Sequence, residues 1–245
     1  MSGHSHWATI RHQKAIVDKK RGKTFSKLSQ MISVAVKEKG KDPQTNSNLR
    51  MAIEKARSFN MPKDKIENAI KRGSRELQET NLEKIIFEIY GPGNSAIIIE
   101  CLSDNKNRTL GEIKQVLSQV DAKLANTGSV QWLFQRKGVI VLSPYKLDDL
   151  KQEDKETLEL KIIESGAENL KWREDTLKVY TKVEELEKVK NILKNQGLKI
   201  KSTSLDWIAK EEIDLPEKNQ GKFKKLFELL NELESVQVIY SNINL

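Results

Sequence analysis

The spacing of apolar residues changes character once along this chain, and that change sets the fold class. As far as Ile70 the apolar positions recur every three or four residues; from Ile85 they gather into short β-branched runs. Phe25, Leu28, Ile32, Ala35 and Val36 predict a helix beginning at Thr24 and stopped by Gly40. Asp42-Pro43 reads as the start of a second helix, with Leu49, Ala52, Ile53 and Ala56 as its stripe. Pro62 opens a third, with Ile66, Ala69 and Ile70 inward and Gly73 at its end. Residues 1–75 are therefore expected to form a small helical domain. Within it, 1–23 is poor in apolar residues and reads as a basic tail, mobile until bound.

After a polar linker at 74–82 the pattern is that of strands. Ile85–Tyr90 and Ala96–Leu102 flank Gly91-Pro92-Gly93-Asn94, which reads as a hairpin. A helix capped by Thr109 follows, then a strand at Val130–Phe134. Beyond Arg136-Lys137-Gly138 a second cycle begins. It comprises a strand at Val139–Leu142, a helix at Leu147–Glu164 and strands at Asn169–Trp172 and Leu177–Thr181, turned at Glu174-Asp175. A helix at Val183–Lys194 and a strand at Lys199–Ser204 complete it. Strand–helix–strand–strand–helix–strand is the ferredoxin-like order. The remaining strand at Trp207–Ile213, helix at Glu217–Leu233 and strand at Val236–Tyr240 are too few for a domain. They are assigned to the sheet begun at Ile85. The expectation is an α+β multidomain chain: 1–75 helical, 82–135 with 206–245 as a discontinuous α+β domain, and 136–205 inserted into it.

Charge separates the same regions. Residues 1–75 hold 18 Lys/Arg and 6 Asp/Glu, a balance of +12, while the remaining 25 and 29 give −4. Clustered cations neutralise phosphates and release counterions, so a polyanion is the expected partner of the first domain. No apolar run approaches the length of a membrane span, and no secretory leader is visible at the start. The single cysteine, Cys101, lies in a strand pattern and reads as a buried small residue in a reducing compartment. A cytoplasmic location follows as the expectation.

Catalytic chemistry is hard to place. There is no phosphate-binding GxxxxGK[ST] loop, no dinucleotide GxGxxG and no Ser-His-Asp or Cys-His set. His4, His6 and His12 share the first twelve residues without the Cys or carboxylate partners of a zinc site. They suit phosphate or base contacts, or plain exposure, better than a metal. The Asp104, Asn105, Asn107, Arg108 loop either carries function or caps the helix after it. No catalytic residue, metal, cofactor or small-molecule substrate is expected. The candidate nucleic-acid-binding residues are His4, Trp7, Arg11, Lys14, Lys19, Lys20, Arg21, Lys23, Lys27, Lys71 and Arg72. Trp7 suits either stacking on a base or anchoring the tail. Lys19 to Lys23 form a phosphate clamp or a solvated linker, and Gly22 lets the backbone approach closely. Lys14 and Lys27 extend the clamp if the flanking segments are helical.

Several fixed stretches carry a family resemblance. They are Gly3-His4-Ser5 with Trp7, Asp18 with Arg21-Gly22-Lys23, Phe25-Ser26-Lys27-Leu28, Asn60-Met61-Pro62-Lys63-Asp64 and Ala69-Ile70-Lys71-Arg72-Gly73. Further on come Tyr90-Gly91-Pro92-Gly93, Glu100-Cys101-Leu102-Ser103-Asp104-Asn105 with Asn107-Arg108-Thr109, and Gly128-Ser129-Val130. With these the chain strongly resembles the YebC/PmpR family, densely over residues 3–138 and more thinly after. The resemblance implies a helical bundle and two ferredoxin-like α+β domains, the third inserted in the second. It implies a cytoplasmic bacterial regulator of transcription that binds DNA. Other members, a mitochondrial relative among them, imply an alternative: a ribosome-associated translation factor contacting ribosomal RNA and assisting proline-rich stretches. The chain departs from the family pattern at His6, where Lys is usual, and at Ile89 and Asn94, where Gly is frequent.

Overall fold

A computed structural model describes residues 4–74, 82–142, 152–173 and 176–244. Within those ranges the side chains of 4–20, 152, 153 and 173 stand outside the description. Residues 75–81 of the linker expected at 74–82, the start of the helix expected at Leu147 and the turn at Glu174-Asp175 all lie outside the described residues. The chain divides into two compact units, Met1–Glu83 and Lys84–Leu245.

The first unit is three helices: α1 (His4–Lys39), α2 (Ser47–Ser58) and α3 (Lys63–Ser74). The expected start of α1 at Thr24 is wrong. The backbone is already helical at His4, so the segment read as a mobile tail continues the helix. That part has no apolar stripe from which a helix could be read. From Phe25 onward the stripe is as the spacing predicts. Phe25, Leu28, Ile32, Ala35 and Val36 are buried with Leu49, Ala52, Ile53, Ala56, Met61, Ile66 and Ala69 in one core. Gly40 ends α1 at φ +88°, its N–H donating to the Val36 carbonyl.

The start of α2 also differs from expectation. Asp42 organises a turn by accepting from the Gln44 N–H, and the N-cap is Asn46. Its amide is fully buried and fully used: Oδ1 accepts from the Leu49 N–H, while Nδ2 donates to the carbonyls of Ala35 and Gly40. One side chain thus closes α1 and opens α2. Gly73 does not end α3, which runs on to Ser74. A methyl group there would strike the Ser33 carbonyl oxygen and come within 2.9 Å of Val36 Cβ. The glycine is present because α1 and α3 touch at this point.

The second unit holds two four-stranded sheets. The first is ordered β3-β1-β2-β8, from β1 (Glu83–Gly91), β2 (Ser95–Ser103), β3 (Lys123–Leu124) and β8 (Val236–Ser241). The Gly91–Asn94 turn is the expected hairpin, with Gly93 at φ +67° and Asn94 at φ +60°. Helices α4 (Lys106–Leu117) and α7 (Glu217–Glu232) cover one face. Ile85, Phe87, Ile89, Ile97, Ile99 and Cys101 pack there against Ile113, Val116, Phe223, Leu226 and Leu230. Cys101 is buried, as its strand context predicts. The Asp104–Arg108 loop is a cap. Asn105, not Thr109, accepts from the Arg108 N–H, and Arg108 pairs with Asp104 at 2.6 Å.

The second sheet is ordered β5-β6-β4-β7, from β4 (Phe134–Leu142), β5 (Asn169–Arg173), β6 (Thr176–Thr181) and β7 (Ile200–Ala209), with α5 (Gln152–Glu164) and α6 (Leu186–Asn195). It has the ferredoxin-like element order expected, and the whole is α+β. Two strands are longer than their sequence patterns. The strand expected at Val130–Phe134 is a 3-10 turn at Gln131–Leu133, after which β4 runs unbroken to Leu142. Of the strand expected at Trp207–Ile213, the first three residues are the end of β7, and Ile213 makes an isolated parallel bridge with Ile243. Positions 135/136 and 205/206 therefore fall inside continuous strands, which pair antiparallel from Phe134↔Ala209 to Leu142↔Ile200. Gly138 sits mid-strand, where a Cβ would strike the Thr181 hydroxyl and crowd Leu186 at 2.9 Å. This glycine is a place of close packing.

The far face of β2 is buried too. Ala96 and Ile98 pack with Val130, Phe134, Trp207 and Tyr240, which joins the two sheets of this unit. Among the described residues no helix is long and apolar enough to cross a membrane.

Candidate nucleic-acid interface

The candidate residues fall on two helices of the first unit. His4, Trp7, Arg11, Lys14, Lys19 and Lys20 lie on the helical backbone of α1, with side chains outside the description. The condition set for Lys14 and Lys27, helical flanks, is met. Positions 20, 23 and 27 follow the three-and-four spacing that shares one helix face. Arg21 is exposed, and Lys23 and Lys27 are half-buried beside the core stripe. Gly22 meets open space, so the backbone there is accessible.

Phe25 organises the described part. The ring is 8% exposed and bracketed by two cations: the Arg21 guanidinium at 5.3 Å and the Lys65 ammonium at 5.2 Å from its centroid. Arg21 is one turn before Phe25 on α1, and Lys65 comes from α3. The ring's negative π-face attracts each cation and tethers one from each helix to the same aromatic side chain. Lys71 and Arg72 are exposed in the last turn of α3, where cations oppose the negative end of the helix dipole. Lys63 is 88% exposed and makes only a 3.6 Å surface contact with Glu67, a pair of small energetic weight.

The helix opened by Pro62 offers Lys65, with Lys63, Lys71 and Arg72, as a phosphate contact; the place of Lys65 over Phe25 is what the sequence does not show. Its partner ring is forty positions away, and neither neighbouring motif signals the contact. The only hint is that Phe25 falls beside a basic run. Among the described residues no cluster of three metal-ligating side chains occurs. His4, His6 and His12 lie on α1 outside the described side chains.

Comparison with known proteins follows the same division into units. The model of the TACO1/YebC protein N-terminal domain matches residues 5–76, and that of the TACO1/YebC second and third domain matches residues 82–243. A "Probable transcriptional regulatory protein" of Halothermothrix orenii is 42% identical over 246 residues, covering 100% of this chain and 96% of its own length. A protein of the same description from Caldanaerobacter subterraneus subsp. tengcongensis is 41% identical, covering 100% and 99%. The crystal structure of a conserved hypothetical protein from Aquifex aeolicus, Aq1575, superposes with a TM-score of 0.83 at 40% identity, covering 98% of this chain and 97% of that one.

Proposed function

The chain belongs to the TACO1/YebC family, and on that premise we propose that it is a non-catalytic, cytoplasmic regulator of gene expression that binds nucleic acid through its basic helical unit. Relatives described as transcriptional regulatory proteins support the regulatory role, and duplex DNA is the target of first choice. One observation carries the reading: Arg21 and Lys65, from different helices, are held over a single ring in a region of net charge +12. Cations held against a ring lose less freedom on meeting phosphates than cations free in solvent.

The same chemistry favours contact with the backbone over reading of base edges. The cations of α3 are Lys63, Lys65, Lys71 and Arg72, groups that position a protein on phosphates. Ribosomal RNA offers those phosphates equally, which keeps a ribosome-associated role in translation as the second reading. A titration over several salt concentrations tests both. Duplex DNA and a ribosomal RNA fragment are compared on the full chain and on Arg21→Ala and Lys65→Ala. Each substitution is expected to lower the slope of log affinity against log salt by about 0.7–0.9. Tighter binding to the RNA moves the target to the ribosome, and no binding to either at low salt sinks the proposal.

A further inference from the structure

Tyr90 and Trp132 are open to solvent in the second unit, 44% and 64% exposed. Burial does not explain why two large aromatic side chains stand there. Their anchoring is specific. The Tyr90 hydroxyl and the Trp132 indole N–H both donate to one acceptor, the Ser129 carbonyl oxygen, at 3.1 and 3.0 Å. The loop presenting that oxygen is itself fixed from beneath. The N–H groups of Gly128, Val130 and Gln131 donate to the buried Glu88 carboxylate at 2.5, 2.6 and 2.8 Å, with Gly128 at φ +85°. Glu88 and Tyr90 lie two apart on β1, so one strand supplies both the anchor and one ring.

Cations flank the pair. Lys123 lies directly across from Tyr90 in the β1–β3 register, on the same face of the sheet. The Lys210 N–H donates to the Leu133 carbonyl, one residue from Trp132. Both lysines are exposed. Flat rings held open, each with an exposed lysine on a neighbouring segment, suit a ligand with flat faces and negative links. A duplex hides its base faces within its own stack, whereas a single strand offers them.

We infer that Tyr90 and Trp132 form a stacking platform for unpaired bases of single-stranded nucleic acid, with Lys123 and Lys210 meeting the flanking phosphates. The inference rests on the nucleic-acid reading above and specifies a second contact and the form of the ligand. Stacking on aromatic side chains is tolerant of sequence, and loss of one ring weakens binding by about tenfold.

The test uses the full chain, a short single-stranded oligonucleotide carrying 2-aminopurine, and a duplex. Anisotropy reports affinity, and 2-aminopurine quenching reports stacking on a ring. The expected result is quenching by the wild type that is lost in Trp132→Ala, with single-strand affinity about tenfold weaker. Duplex affinity and its salt slope stay unchanged. Trp132→Phe, which keeps a ring, retains part of the quenching and guards against a folding defect. Single-strand binding without wild-type quenching, or with quenching that survives Tyr90→Ala/Trp132→Ala, overturns the platform and leaves the nucleic-acid reading standing. A wild type that binds neither strand nor duplex overturns both.

Discussion

Glu100 carries a carboxylate on the far face of β2 with its side chain 10% exposed, and three groups answer its charge. Arg136 donates at 2.7 Å, the Trp207 indole N–H at 3.1 Å, and Lys84 pairs at 3.1 Å. Arg136 also lies over the Trp207 ring at 5.2 Å. Buried charges of this kind are costly when one partner is removed. Glu100→Gln should therefore lower the free energy of unfolding by about 3 kcal/mol, measured by urea denaturation. Adding Arg136→Met should recover part of that loss. Tyr240 borders the same group. Burial foremost, then the carboxylates of Asp206 and Glu100, push its phenol pKa well above the ordinary 10.0, while Arg136 pulls it down. The folded chain keeps this proton where the unfolded chain releases it. Stability is thus unaffected by Tyr240 below about pH 10 and falls as pH rises beyond it. Tyr240→Phe should flatten the fall in urea midpoint between about pH 10 and 11; an equal fall in both proteins contradicts the assignment. Nothing in the sequence marks this cluster, because its members come from five strands and meet only when both sheets have formed.

Elements were legible where burial imposes a period and obscure where packing does not follow one. The stripe from Phe25 to Val36 and the Ile85 and Ala96 runs are read directly, since each lines a core. The first turns of α1 lack such a stripe and were taken for a tail. Gly73 is expected to end α3 because a glycine near a helix end resembles a stop; like Gly138, it serves close approach between elements distant in sequence. A pair of substitutions separates the two roles. Gly73→Ala gains helix propensity but drives a methyl into the backbone of α1, so a net loss of about 1–3 kcal/mol is expected. Gly111, inside α4, faces open space. Gly111→Ala should raise stability by about 0.5–1 kcal/mol. Thermal melts of the full chain read both, and equal shifts would refute the close-contact account of Gly73. The candidate site follows the same rule: the α1 and α3 cations, Lys65 among them, are visible as composition, but the placing of Lys65 over Phe25 is not, because helix packing makes it.

For the whole molecule the division of charge is the main functional statement. With +12 in residues 1–75 and −4 in the remainder, a fragment 76–245 should bind duplex DNA or ribosomal RNA far more weakly than the full chain. Equal affinity, measured at one salt concentration, would remove the basic unit from the interface. The proposal that 136–205 is an inserted domain predicts that a short linker in its place leaves β1, β2 and β8 assembled. Stability should drop because Arg136 leaves Glu100, and loss of the first sheet's circular dichroism and cooperative melt would reject the division. The adjacency of β4 and β7 has a mechanical consequence. Phe134 and Ala209 are paired neighbours at the point where the chain enters and leaves the second sheet. A tension drawn through the ends of this unit therefore crosses from one to the other and bypasses the residues between them. While that first pair holds, the second sheet bears no load. Once it yields, the sheet opens like a zipper, one ladder rung at a time, rather than sliding as a block. Stretched between two handles, the unit should lengthen in two steps, and the second should need little force.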